Sequence, residues 1–234
     1  MKLQHNPKLN NEFAKIDNLT YYPYVGEDFY NQDKRVMVYA HNIYCESWKY
    51  EKELIRTSSK THFADALEEF AYQKGFWTKS FRNFIKGALG LTRDYSEKSD
   101  KNTIDLIDSF VSKISYTNFI DGLVKSDVAI NVTIDNRLIQ KSRDNQKKIL
   151  EILNITHCIS WGAKVYNHII HLEGYEIIES RPLTKKGFGY AKIRNLKNGQ
   201  VIHVLKTFHP SMPSFGQLKK ETHDIFSWFF SLDK

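Results

Sequence analysis

The stretch Ile155-Thr156-His157-Cys158-Ile159-Ser160-Trp161-Gly162-Ala163-Lys164-Val165-Tyr166-Asn167-His168-Ile169-Ile170 decides the fold. Residues 155–161 form a short apolar run of strand length. Gly162 breaks the run, and Ala163–Ile170 reads as a helix. A buried strand that passes through a glycine into a helix is half of a parallel crossover unit, because parallel strands cannot be joined by a tight turn. The same alternation recurs on either side. Arg35-Val36-Met37-Val38-Tyr39-Ala40 is a second buried strand, followed by a loop over 41–47. Ile114-Ser115-Tyr116-Thr117-Asn118 is a further strand candidate, also ending in a loop. Residues 64–73, 78–89, 143–153 and 218–230 read as helices; within the second, Phe81, Phe84, Ile85 and Ala88 recur at helical spacing. Residues 190–194 and 201–205 alternate around Lys197-Asn198-Gly199, a hairpin signal. Residues 1–34 are polar and aromatic with turn signals at Pro23 and Gly26, and 94–102 is charged and exposed.

These segments predict one α/β domain over 1–234, a three-layer α/β/α sandwich with a mainly parallel central sheet. No internal repeat or Pro/Gly-rich linker divides the chain. In such folds ligands bind at the C-terminal ends of the strands. The loops after Tyr39, Thr117, Trp161 and Phe208 are therefore the places where chemistry is expected.

Composition narrows the function classes. Lys and Arg number 34 against 27 Asp and Glu, a formal charge of +7. This excess permits a polyanionic partner without requiring one. Two cysteines, Cys45 and Cys158, are too few for a four-cysteine zinc or iron–sulfur site. Cys158 lies in an apolar run and is expected to be a small buried hydrophobe. No signal-peptide core or membrane-length apolar window is present, so a soluble cytoplasmic monomer without metal or cofactor is expected.

Four loops carry suggestive residues: Ala40-His41-Asn42-Ile43-Tyr44, Thr117-Asn118-Phe119, Trp161-Gly162-Ala163 and His209-Pro210-Ser211-Met212-Pro213-Ser214. Each alone reads as a turn or a helix entry. Together, in this order and after apolar strands, they resemble the uracil-DNA glycosylase superfamily over roughly residues 35–215.

That resemblance implies roles at the matching positions. His209 would hydrogen-bond the base oxygen that gains negative charge as the glycosidic bond breaks. Asn42 falls where the uracil-specific branch has Asp and a mismatch-specific branch has Asn, and would position the attacking water. A neutral amide cannot stabilise an oxocarbenium-like sugar by charge, so slower chemistry than with Asp is implied. Asn118 would read the pyrimidine edge, and Phe119 or Tyr116 would stack on it or pack in the core. Tyr44 would crowd the pyrimidine C5 position. Ala40, His41 and Ile43 replace the family's Gly, Gln and Pro, which leaves room for another lesion or a modified pyrimidine. The amides of Gly162 and Ala163 would hold a phosphate, with Ser211 and Ser214 beside the flipped nucleotide. Met212, Pro213 or Phe215 would wedge the base stack, because the target atom is unreachable inside a duplex. Lys185, Lys186, Lys192, Arg194 and Lys197 gather around the hairpin and would track the DNA backbone or form a solvated face. The hairpin lengthens the family's usual spacing and reads as an insertion. The implied activity is hydrolytic excision of uracil, a mismatched base or a bulky modified cytosine of phage DNA. Two other readings stay open: a catalytically degenerate DNA-binding member of the fold, and a nucleotide- or phosphate-binding α/β enzyme unrelated to DNA.

Overall fold

The computed structural model describes residues 6–45, 59–72, 78–125, 134–185, 187–212, 215 and 219–233. Strand β2 (Val36–Ala40) is buried along its whole length. Val36, Val38 and Ala40 enter one core, and Met37 and Tyr39 enter another. A period of two with both faces apolar requires cover on both sides of the sheet. The same division runs through the neighbouring strands. Ile159 and Trp161 face one core while Cys158 faces the other, and Leu205 opposes Ile202 and Val204.

Among the described residues, seven strands form the sheet in the order β1-β4-β2-β6-β9-β8-β7. Its centre is parallel: β4 (Ile114–Asn118), β2, β6 (His157–Trp161) and β9 (Val201–Thr207) all run the same way. Antiparallel strands close both sides, β1 (Tyr24–Val25) on β4, and β8 (Gly189–Asn195) with β7 (Tyr175–Pro182) on β9. Helices α2 (His62–Tyr72), α3 (Lys79–Leu89), α4 (Lys101–Val111) and α7 (Lys219–Ser231) cover one face through Phe63, Phe84, Ile107 and Phe226. Helices α1 (Asn10–Phe13), α5 (Asn136–Ile152) and α6 (Ala163–Ile170) cover the other through Phe13, Ile149, Val165 and Ile169. The architecture is the expected α/β/α sandwich.

Local chemistry sets the boundaries. The Asp135 carboxylate caps α5 by accepting from Arg137 N at 2.7 Å, and Asp100 caps α4 by accepting from Thr103 N at 3.0 Å. Gly90 ends α3 in the left-handed conformation with φ 66°.

Several expectations need correction. The loop assigned to 41–47 contains a strand, β3 (Ile43–Cys45), which pairs in parallel with β5 (Leu123–Lys125) in a separate two-stranded sheet. Helix α4 and strand β7 carried too weak an apolar signal to be read. Leu106 on α4 is 45% exposed, and β7 is exposed at nearly every position. The sequence hairpin is real, yet its second strand, β9, belongs to the central sheet, and β8 and β7 extend the sheet beyond it. Pro182 ends the edge strand, where its missing N–H costs no ladder bond.

A buried carboxylate ties the third parallel strand's exit loop to the rest of the chain. Asp121 accepts hydrogen bonds from Thr20 N at 2.9 Å, Tyr21 N at 3.1 Å and Asn145 Nδ2 at 2.9 Å, with Lys141 Nζ at 3.3 Å. Ser142 Oγ in turn accepts from Asp121 N at 2.9 Å.

Candidate active site

Four adjacent parallel strands end at one edge of the sheet. Ala40 lies opposite Asn118, and Trp161 lies opposite Thr207. The four loops singled out in the sequence therefore leave the sheet side by side, at the ligand-binding edge of an open α/β fold.

His209 follows β9 by two residues. Its Nδ1 accepts the Ser211 backbone N–H at 3.3 Å and sits 2.8 Å from Ser211 Oγ. A nitrogen that accepts a backbone N–H carries no proton, so in the neutral ring the proton is on Nε2. Burial pushes the His209 pKa below its ordinary value, which keeps the ring neutral at physiological pH. The imidazole stands edge-on to Trp161, centroids 5.9 Å apart and planes at 81°. Trp161 itself is buried, with Nε1 unpartnered among the described residues.

His41 and Asn42 leave β2 at the centre of this edge. Burial drives the His41 pKa down to about 4, while a hydrogen bond to the Asn42 side chain pulls the other way. Asn42 Nδ2 is buried and has no hydrogen-bond partner among the described residues. An orphaned buried donor at the mouth of a site marks a place for an acceptor. Ala40 is buried, and its carbonyl accepts the Phe119 N–H at 2.8 Å, so it contributes backbone spacing between β2 and β4.

Asn118 is the last residue of β4 and is buried. Gln146 of α5 donates through Nε2 to the carbonyls of Asn118 and Phe119, each at 3.1 Å, and so fixes the loop that presents them. Neither stacking candidate is open to solvent. Tyr116 packs with Phe81 and Trp161, and Phe119 is wholly buried beneath His168.

Gly162 caps α6 with φ 93° and ψ 164°, a region available to glycine alone, while open space surrounds the position a Cβ would take. The backbone turn therefore requires the glycine. Gly162 and the exposed Ala163 begin α6 at this edge.

The His209 loop divides its candidates. Ser211 is exposed and engaged with His209, so its hydroxyl orients the histidine. Met212 is 49% exposed, whereas Phe215 is 3% exposed and packs into the core near Gly87. Phe215 is therefore excluded as a wedge and Met212 suits that position. Pro213 and Ser214 lie outside the described residues, as does the side chain of Tyr44, whose backbone belongs to β3.

The basic residues around the hairpin do not form one patch. Lys185 is in the β7–β8 turn at the site edge. Arg194 pairs with Val201 at the far end of the sheet and forms an ion pair with Glu176 at 3.1 Å, and Lys197 follows it there. Lys192 lies between them opposite His203, and Lys186 is outside the described residues. The β7–β8 turn still reaches the site: Gly187 packs against the Phe208 ring, and Phe188 meets it edge-on at 5.4 Å.

Sequence reasoning missed His168 and Arg143. His168 sits in the second turn of α6, and Arg143 Nη2 approaches its Nδ1 at 3.4 Å. Both belong to amphipathic helices whose polar residues looked like surface; a histidine six residues after Gly162 was the one available signal.

Among the described residues, no group of three or more His, Cys, Asp or Glu could hold a metal ion, and no helix is long and apolar enough to cross a membrane. No family model matches the chain, and no curated protein matches it.

Proposed function

We propose that this chain is a monofunctional DNA glycosylase that excises an altered pyrimidine by hydrolysis. The observation that carries the reading is that Asn42, Asn118 and His209 leave the same edge of the sheet at the ends of three parallel strands, with His209 held as a neutral Nε2–H donor. This constellation is the one implied by the resemblance to the uracil-DNA glycosylase superfamily.

The chemistry follows from the groups present. The C1′–N bond breaks and its electron pair goes to the departing base. Negative charge appears on the base carbonyl oxygen, where the Nε2–H of His209 can donate without any charge of its own. Water adds to C1′, its proton is lost, and the base takes up a proton, leaving an abasic site. Asn42 orients that water as a neutral amide, so it supplies position and no charge. The target must be extruded from the helix, and the exposed Met212 beside His209 suits a wedge. The +7 charge suits a DNA partner. The substrate is uracil, a mismatched pyrimidine or a bulky modified cytosine.

Mass spectrometry of bases released from genomic, uracil-containing and hypermodified phage DNA tests the proposal. The wild-type chain should release a free base, and His209→Ala should slow release by about 10²–10³-fold. Absence of release across the panel, with DNA still bound, would instead support a catalytically degenerate DNA-binding protein. Asn42 in place of a carboxylate is the observation that favours that second reading.

A further inference from the structure

Behind the loop that carries His209 lies a cavity that the proposed excision chemistry does not use. It encloses about 410 Å³ between the C-terminal half of α3 and the first turns of α7. That volume lies in the range of small-molecule sites. Close packing fixes the walls. A methyl group at Gly87 would fall 2.9 Å from the Phe215 ring, and one at Gly90 would fall 3.0 Å from the His223 ring. His223 Nδ1 donates to the Ala88 carbonyl at 3.3 Å and ties α7 to the end of α3.

The cavity shares a wall with the candidate active site. Asn83 lines it and donates through Nδ2 to the Pro210 carbonyl at 2.8 Å, one residue after His209. Phe215 lines it from the other end of the same loop. The segment that carries His209 and Met212 therefore rests on this cavity at both ends.

The lining combines an apolar floor with positive charge. Leu91 and Phe215 supply apolar surface, Thr92 a hydroxyl, and Lys86 and Lys220 ammonium groups. Lys86 is drawn in, with 19% of its side chain exposed. Asp94 stands 3.6 Å from it and is held closer by Arg82, at 2.9 Å. Two cations share that carboxylate, which leaves one positive charge over. Lys220 forms no ion pair among the described residues. Glu221 and Asp224 line a neighbouring groove beside Trp228 and are absent from this cavity's wall. Cations at the rim of an apolar floor suit an anionic group attached to a flat apolar body.

We infer that this cavity binds a nucleotide, with its phosphate held by Lys86 and Lys220 and its base laid against Leu91 and Phe215. The ligand chemistry is that of a nucleoside monophosphate unit, supplied either by a free nucleotide or by a DNA strand held beside the protein. Either occupant touches the two residues on which the His209 loop rests. The inference goes beyond excision at the strand edge and does not depend on it.

Isothermal titration calorimetry on the full chain tests the site, with deoxyadenosine monophosphate, deoxyadenosine and inorganic phosphate as probes. The monophosphate should bind, and each of its two fragments should bind roughly tenfold or more weakly. Lys86→Gln and Lys220→Gln should each weaken the monophosphate by roughly tenfold or more, the worth of a charge-assisted hydrogen bond. Lys86→Arg and Lys220→Arg keep the charge and should keep most of the affinity; a thermal melt shows that each variant is folded. Equal affinity for the monophosphate in wild type and the double Gln variant overturns the site. Inorganic phosphate or deoxyadenosine binding as tightly as the monophosphate overturns the nucleotide assignment.

A second arm identifies the source of the nucleotide. A uracil-containing duplex is bound at several salt concentrations by wild type and by the double Gln variant. If a strand nucleotide fills the cavity, the duplex displaces the monophosphate and the double variant lowers the salt slope by about two. If a free nucleotide fills it, monophosphate and duplex bind together and the slope is unchanged. No binding of the monophosphate together with an unchanged slope overturns the inference for both sources. All of these are equilibrium binding measurements, so their outcome is separate from base release, on which the glycosylase reading stands or falls.

Discussion

His157→Phe should make the protein more acid-resistant while costing a little stability near neutrality. His157 is fully buried at the start of β6, stacked on His203 at 5.0 Å and edge-on to Phe229 of α7 at 5.1 Å. Burial lowers its pKa to about 3, helped by the nearby His203 and Lys34 and opposed by the Leu232 backbone. In the unfolded chain the ring titrates near 6.5. Its folded pKa is depressed, so the native state is fully stable above about pH 6.5. Below that the unfolded chain binds a proton that the native state refuses, and stability falls until the pH reaches the folded value. Each pH unit in that window costs about 1.4 kcal/mol, so this one group removes on the order of 3 kcal/mol by pH 4. Phenylalanine keeps the ring contacts and removes the titration. It also loses the 2.9 Å hydrogen bond between Thr156 Oγ1 and His157 Nδ1, worth about 1 kcal/mol. Thr156 Oγ1 still accepts from Arg35 N at 3.0 Å, so it is not stranded. The variant should therefore be about 1 kcal/mol less stable near pH 7 and about 2 kcal/mol more stable near pH 4. Desolvation, Lys34, Lys192 and Glu179 set the shift of the neighbouring His203 and are unchanged in the variant. Urea unfolding followed by tryptophan fluorescence measures both ends, with a constant slope showing that the midpoint shift is a stability change. Parallel loss of stability in wild type and variant between pH 7 and pH 4 would refute the reasoning.

Gly162→Ala should cost about 1–3 kcal/mol through backbone strain alone, since no atom lies within 4 Å of the new methyl group. Gly187→Ala should cost more, because its Cβ would fall 2.3 Å from the Phe208 ring; urea midpoints rank the two. Asp121→Ala should destabilise by roughly 3–5 kcal/mol, by stranding the Thr20, Tyr21 and Asn145 donors and the Lys141 charge, measured as a drop in melting temperature. Ser211→Ala should slow base release by roughly tenfold or less, because the Ser211 backbone N–H still orients His209; a loss as large as that of His209→Ala would give the hydroxyl a direct chemical role.

The two kinds of information divided along physical lines. Strand β2 was legible because both faces are buried, which leaves a continuous apolar run in the sequence, and β6 carries apolar residues toward both faces. Gly162 and the loop that begins at His209 were legible because a break in such a run is local. Helix α4 and strand β7 were not, since an element with much of its surface in water writes little hydrophobic pattern.

At the candidate site, the order of short segments along the sequence brought Asn42, Asn118, Gly162 and His209 into consideration, each at or just beyond the end of a strand. Only the tertiary structure decided that four parallel neighbours place them at one edge. It also withdrew Phe215 into the core, separated Arg194 and Lys197 from the site by the length of a strand, and laid His168 against Phe119. Those outcomes depend on contacts between residues far apart in the chain. Periodicity reports which side of its own element a residue occupies; what stands opposite is set by register and by the packing of the layers.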